Sequence, residues 1–264
     1  MNFPPYATLQ TTLQDRILTV TLNRPDVLNA LNTQMAQDLY DLWLLLTDCD
    51  DTVRVVILTA AGDRAFCAGG DFKERNGLTD AEWHHQHLIF ERAVWSIIES
   101  PLPVIAAVNG YAYGGGLELV LAADFAYGVT GAKFAFPEVK IGIIPGCGGT
   151  QNLPRTVGGR LAKELILTGR PFSADQALEW GVLNRVCEPE SLMAAALETA
   201  RTIAGNAPLS VRQAKRAIHT GAQLDLTSGL RFELEAYNRL VPTEDRREGI
   251  LAFIEKRKPV FTGR

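Results

Sequence analysis

No stretch of the 264-residue chain approaches the ~20 consecutive apolar residues that a membrane-crossing helix needs. The N-terminus, Met1-Asn2-Phe3-Pro4-Pro5, has no basic region followed by an apolar one, so no secretory leader is read there. Cysteine is sparse: Cys49, Cys67, Cys147 and Cys187 lie far apart and form no C-x-x-C pair. This spacing supports neither a disulfide framework nor a zinc site and suits free thiols in a reducing compartment. The expectation is a cytoplasmic protein with no membrane partner. Positive charge is not in excess either, with 26 Lys and Arg against 30 Asp and Glu and a formal net charge of −4. A protein devoted to nucleic acid is not expected from such a balance.

Several chemical signatures are missing as well. The chain has no G-x-x-x-x-G-K-[ST], and neither Tyr113-Gly114-Gly115-Gly116 nor Gly146-Cys147-Gly148-Gly149 gives G-x-G-x-x-G after a strand. Phosphate cradles of those two types are therefore excluded. G-x-S-x-G and H-E-x-x-H are absent, and His84, His85 and His87 cluster at one polar helix start. A solvated surface is the preferred reading of that cluster, because no carboxylate spacing supports a metal site.

What is present is the composition of an ordinary globule, 47% hydrophobic and 21% charged, long enough for a sizeable core. Residues 17–22 (ILTVTL) alternate at period two and predict a strand. Met35, Leu39, Leu42, Trp43 and Leu46 then place an apolar stripe on a helix starting near Asn32 or Thr33. Strand-like 53–59 and helical 81–100 repeat the unit. A third pass begins at 104–108 and enters a short helix after Gly116. A fourth runs from 124–127 through Phe134-Ala135-Phe136 to the glycine-rich Pro145-Gly146-Cys147-Gly148-Gly149 at another helix start. This recurrence predicts a layered or coiled α/β core. Beyond about Ser173 the pattern turns helical, over 174–181, 190–204, 208–220, 224–238 and 243–256, with 182–186 strand-like. No Pro/Ser-rich linker separates core from helices, so the two parts are expected to pack together.

Two glycine-rich turns stand out, one ending in Ala68-Gly69-Gly70-Asp71 and the other in Gly114-Gly115-Gly116-Leu117-Glu118. Glycine lets backbone N–H groups approach a ligand closely, so two such turns can aim two donors at one carbonyl oxygen. Spacing alone favours plain tight turns over that oxyanion hole. Glu118 lies among Leu117, Leu119, Val120 and Leu121, and Glu138 follows Phe134-Ala135-Phe136-Pro137. Two carboxylates in apolar settings suggest paired acid and base work. Salt bridges, with Arg155 or Lys140 available, are the equally weighted alternative.

The run from Ile105 through Asn109-Gly110 and Gly114-Gly115-Gly116 to Leu119, with Ala68-Gly69-Gly70-Asp71 before it and Pro137-Glu138 and Pro145 to Thr150 after it, closely resembles the enoyl-CoA hydratase/isomerase (crotonase) superfamily. The resemblance spans essentially the whole chain, from Asn23-Arg24-Pro25 to Ala252-Phe253-Ile254-Glu255-Lys256-Arg257. It implies an α/β spiral of repeated ββα units over 1–200 and a C-terminal helical region over 201–264 that mediates homotrimers or homohexamers. The implied substrate is an acyl-CoA thioester, with coenzyme A part of the substrate and no separate cofactor or metal.

The same resemblance implies roles residue by residue. Backbone N–H groups of Gly70 and Gly115 would hold the thioester carbonyl, and Glu118 would activate water while Glu138 delivers a proton to Cα. Gly146, placed at a helix start, would offer a further N–H to water or to Glu138. CoA would be met by Asp26, Val27 and Leu28, by Ala68, and by Gly70, Asp71, Phe72 and Lys73. Phe253 and Lys256 would reach the CoA of a neighbouring subunit, with packing and a solvated helix face as their respective alternatives.

Hydration of a 2-enoyl-CoA is the leading expectation, since both matching acidic positions are glutamate. A Δ3,Δ2-enoyl-CoA isomerase and a non-catalytic acyl-CoA binder are the alternatives. Residues 67–75 and Leu161 to Ile166 look most like the methylglutaconyl-CoA hydratase branch, although Phe136-Pro137 departs from it. An RNA-binding role known in that branch is not expected here, because Trp83 to Glu99 contains no Lys and only Arg92 as a strong base.

Overall fold

The computed structural model describes residues 3–264. An antiparallel hairpin opens the chain, β1 (Leu9–Gln14) and β2 (Ile17–Leu22), joined by Asp15 and Arg16 at φ 51° and 64°. The alternation in β2 was expected, whereas β1 was not, because its two-residue turn contains no glycine or asparagine to announce it. Helix α1 (Thr33–Thr47) starts where the sequence predicts: Asn32 caps it by accepting from the Met35 N–H, and its stripe from Met35 to Leu46 is buried.

From there each turn of the chain contributes two strands and a helix. The turns are β3 (Val55–Ala60), β4 (Ala65–Cys67), α2 (Phe72–Arg75) and α3 (Asp80–Ile98), then β5 (Val104–Val108), β6 (Tyr111–Tyr113) and α4 (Gly115–Ala122). They continue with β7 (Phe125–Val129), β8 (Lys133–Ala135), α5 (Gly149–Val157) and α6 (Gly159–Thr168). The first strands of each turn build a six-stranded sheet in the order β1-β2-β3-β5-β7-β10, parallel except for the opening hairpin, with β10 at Arg185–Cys187. The second strands build a four-stranded sheet, β4-β6-β8-β9, with β9 at Phe172–Ser173. Strands β3 and β5 are buried along their whole length, which explains their continuous apolar runs.

Helices α7 (Ala174–Glu179), α8 (Leu192–Ala204), α9 (Pro208–Gly221), α10 (Leu226–Asn238) and α11 (Glu244–Ile254) complete the chain, close to their predicted bounds. Helix α8 passes through the expected boundary at residue 200 and lies against β2, β3, β5, β7 and β10. The chain end is tied to the core by Arg54, which donates to the carbonyls of Ala204 and Phe261 at 2.8 Å. Among the described residues no helix is long and apolar enough to cross a membrane.

One consequence of the topology matters most for function. Strands β4, β6 and β8 are parallel neighbours. The segments leaving their carboxyl ends, which carry Gly70, Gly115 and Glu138, therefore gather at one edge of the smaller sheet, the place where ligands collect in parallel sheets.

Candidate active site

That edge forms one wall of a cavity of about 870 Å³, lined among others by Ala68, Gly70, Phe72, Gly115, Glu118, Glu138 and Gly146. The two glycine turns meet there. Gly70 lies in a parallel bridge with Leu31, whose N–H donates to the Gly69 carbonyl and whose carbonyl accepts from Asp71. This pattern occupies the peptide groups on either side of the Gly70 N–H and leaves that donor without a protein partner among the described residues. The Gly115 N–H is in the same position, because it opens α4 and the first N–H groups of a helix have no acceptor within it. The Gly70 nitrogen stands 4.0 Å from where a Cβ on Gly115 would be. Two donors without a partner among the described residues thus lie side by side.

The packing that holds them is specific. Gly114 sits at φ 51° and ψ −123°, a conformation that side-chain-bearing residues avoid, and a Cβ there would come within 2.8 Å of Glu138 Oε1. A Cβ on Gly116 would overlap the Cys67 carbonyl oxygen, so α4 can press against the end of β4 only with glycine at that place.

Glu118, 3% exposed, points from the first turns of α4. Its Oε1 accepts from the backbone N–H of Cys147 at 2.7 Å and of Gly149 at 2.9 Å. Burial raises its pKa above the ordinary carboxylate value, while those two donors and the Arg75 charge pull the other way. Glu138 is buried too, but its Oε2 has no hydrogen-bond partner among the described residues. Desolvation, reinforced by the negative charge of Glu118, pushes its pKa up to about 7. Neither carboxylate is in a salt bridge among the described residues: Arg155 instead donates to Gln151. The ion-pair alternative is thereby set aside.

Some expected positions stand elsewhere. Gly146 lines the cavity, but α5 begins three residues later, at Gly149, with Gly148 in the left-handed region before it. The N–H groups that reach a carboxylate are those of Cys147 and Gly149, and they hold Glu118, not Glu138. The Asp26-Val27 turn and Leu28 lie outside the cavity lining, connected to it where the Ala68 N–H donates to the Leu28 carbonyl at 3.1 Å. Asp71 caps α2 and pairs with Arg24 at 3.0 Å, and Lys73 is exposed on that helix. Phe253, 86% exposed, and Lys256, at φ 54° after α11, are likewise outside the lining.

The histidine cluster is divided by the helix that carries it. His84 and His87 line the cavity, where the His87 ring fills the space beside Gly146, while His85 faces away from it. His84 is exposed, as the solvated reading expects, and His87 is half-buried. Arg75 also lines the cavity and was not singled out from the sequence. In Phe72-Lys73-Glu74-Arg75 it reads as one more surface charge, and only the four-residue turn of α2 carries it inward.

Comparison with known proteins identifies the family. The profile of the family described as "Enoyl-CoA hydratase/isomerase" matches residues 12–264. This chain belongs to that family. It is 41% identical over 245 residues to the short-chain-enoyl-CoA hydratase of Clostridium acetobutylicum, covering 93% of this chain and 94% of that one. It is 41% identical over 254 residues to the enoyl-CoA isomerase/hydratase fer4 of Mycosarcoma maydis, covering 93% and 92%. The crystal structure of an enoyl-CoA hydratase from Bacillus anthracis superposes with a TM-score of 0.95 at 41% identity, covering 97% of this chain and all of that one. The spiral of ββα units is thus the crotonase fold of the family.

Proposed function

We propose that the protein adds water across the C2=C3 bond of a 2-enoyl-CoA thioester to give a 3-hydroxyacyl-CoA. The observation that carries this reading is the pairing of two free N–H donors with two buried carboxylates of unlike environment around one cavity. The thioester carbonyl accepts from Gly70 and Gly115, so that negative charge developing on its oxygen meets donors already in place; such a donor is typically worth on the order of 100- to 1000-fold in rate. Glu118, oriented through Oε1 by Cys147 and Gly149, takes the proton of the water that attacks C3. Glu138, held near half protonation at neutral pH, gives its proton to C2. Dehydration reverses the roles.

Around this centre, the segment 26–28 with Ala68, Asp71, Phe72 and Lys73 forms the rim that meets CoA. The exposed apolar side chains of the last helices, among them Ile218, Leu226, Leu234 and Phe253, support assembly as a homotrimer or hexamer, in which Phe253 and Lys256 approach a neighbour's CoA. Four buried free thiols suit a cytoplasmic setting. A Δ3,Δ2-isomerase would need only one of the two glutamates, so the presence of both in the cavity favours the hydratase. The test is loss of the enoyl-thioester absorbance of crotonyl-CoA. Turnover is expected with the native protein; conversion of 3-enoyl-CoA without hydration of crotonyl-CoA would replace the hydratase with the isomerase.

A further inference from the structure

The cavity contains a buried cation to which the hydration steps give no task. Arg75 is 8% exposed, and its guanidinium lies 4.5 Å from the centre of the Trp83 ring and 4.8 Å from that of Phe90. Its Nε donates to Gln86 Oε1 at 2.8 Å, and the Gln86 nitrogen donates in turn to Thr33 Oγ1 and to the exposed Glu74. The two terminal nitrogens make no hydrogen bond and no ion pair among the described residues. Arginine does not deprotonate in proteins, so a buried guanidinium calls for a negative charge nearby.

The guanidinium stands beside the turn that carries Glu118. Arg75 Cζ and Nη1 are 3.9 Å from where a Cβ on Gly70 would be, and the Gly70 nitrogen is 4.0 Å from the same point on Gly115. Glu118 follows Gly115 within the first turn of α4, and with glycine at 70 and 115 no side chain of either residue separates the cation from that turn. The other ionisable groups around α4 are engaged or uncharged. On α5, Arg155 donates to Gln151; on α3, His87 has its own carboxylate in Glu91 at 3.4 Å, and His84 is exposed. Strands β4, β6 and β7 bring only the Cys67 thiol and tyrosine phenols, and the loop before α5 brings the Cys147 thiol.

Glu118 is the more deeply buried of the two carboxylates, 3% exposed against 8% for Glu138. Burial alone would therefore leave a shared proton on Glu118, the reverse of what hydration needs. We infer that Arg75 is a positioning residue that holds the negative charge on Glu118 and so leaves the proton of the pair on Glu138. With Arg75 positive, Glu118 negative and Glu138 protonated, the three buried groups sum to zero charge. Burial is the largest influence on both carboxyl pKa values, but the charge of Arg75 lowers that of Glu118 and does not enter that of Glu138. The guanidinium acts across the cavity and not by contact: a close ion pair would occupy the carboxylate oxygen that the attacking water needs.

This rests on the two-glutamate hydration reading, so the test includes a readout that does not depend on turnover. Infrared difference spectra of the free protein record the C=O stretch of a protonated carboxyl group. At about pH 6, between the ordinary value of 4.5 and the value of about 7 for Glu138, the native protein should show that band and Glu138→Gln should lose it. A band kept in Glu138→Gln overturns the inference, and that result needs no change at Arg75. Adding Arg75→Met to Glu138→Gln should move the ionisation of Glu118 upward by on the order of one pH unit, and Arg75→Lys, which keeps a positive charge, should restore most of it. In the otherwise native protein, Arg75→Met should shift the acid limb of kcat/KM on crotonyl-CoA upward by a similar amount. A kcat that falls equally at every pH with the limb unmoved is the signature of a structural role and overturns the inference as well. A protein that shows the infrared pattern and its dependence on Arg75, yet hydrates no crotonyl-CoA, would keep this charge assignment and remove the hydratase reading alone.

Discussion

The two carboxylate-bearing walls of the cavity are built by opposite means. Glu118 comes from a helix that is wedged against a strand end, and the loop before α5 supplies it with two backbone donors. Glu138 comes from a single turn, Glu138–Ile141, and has an oxygen that nothing among the described residues satisfies. Both are buried and both have their pKa pushed upward, yet one is oriented by backbone donors and the other has an oxygen without a partner among the described residues. Position is supplied by hydrogen bonds, and proton affinity by their absence.

The sharpest way to break this contrast is to neutralise each side in turn. Glu118→Gln keeps a carbonyl oxygen for Cys147 and Gly149 and so should fold normally while losing hydration by about 10³- to 10⁴-fold, measured as kcat on crotonyl-CoA. Glu138→Gln should lose about 10²- to 10³-fold by the same assay. Near-native turnover by either variant would end the two-glutamate assignment.

A second expectation concerns pH. An acid whose pKa is about 7 must be protonated to act in hydration, so kcat/KM of the native enzyme should fall about tenfold per pH unit well above that value. Glu138→Gln should lack that limb. Gly114→Ala tests the geometry instead: the new Cβ meets Glu138 Oε1 and the backbone conformation is unfavourable, so a loss of about 1–3 kcal/mol in stability is expected by chemical denaturation, together with reduced kcat.

The smallest effect is thermodynamic. Because the folded-state pKa of Glu138 lies above its ordinary value of 4.5, the folded protein binds a proton that the unfolded chain has released between those pH values. Its contribution to stability is complete below about 4.5 and is lost as pH rises through about 7. Glu138→Gln, uncharged throughout, should therefore raise Tm by a few degrees at pH 8 relative to the native protein and have little effect at pH 5.

The larger sheet was legible in the sequence because burial writes itself there as period: ILTVTL alternates, and VVILTA does not because both faces are covered. The smaller sheet was not. Strands of three residues such as Ala65–Cys67 and Tyr111–Tyr113 are too short to show a period, and the glycines beside them look like turns. Of the site, the glycines and glutamates could be named from motifs, but Gly146 was expected at a helix start with its N–H turned to water or to Glu138, whereas the loop takes three more residues to enter its helix and the donors of Cys147 and Gly149 hold Glu118. Arg75 was invisible for a simple reason: a charge run has no apolar neighbours in sequence, and its aromatic neighbours Trp83 and Phe90 arrive from the next helix.

The adjacency of β4, β6 and β8 has a kinetic side. Residues 70, 115 and 138 come from three successive turns of the chain, so no fragment of the spiral contains the site, and no local folding event creates it. Helices can form early in refolding, but the cavity exists only when the third turn has docked on the second. Recovered activity is thus a clock for the completion of the spiral and should lag the return of far-ultraviolet circular dichroism by the time that docking takes.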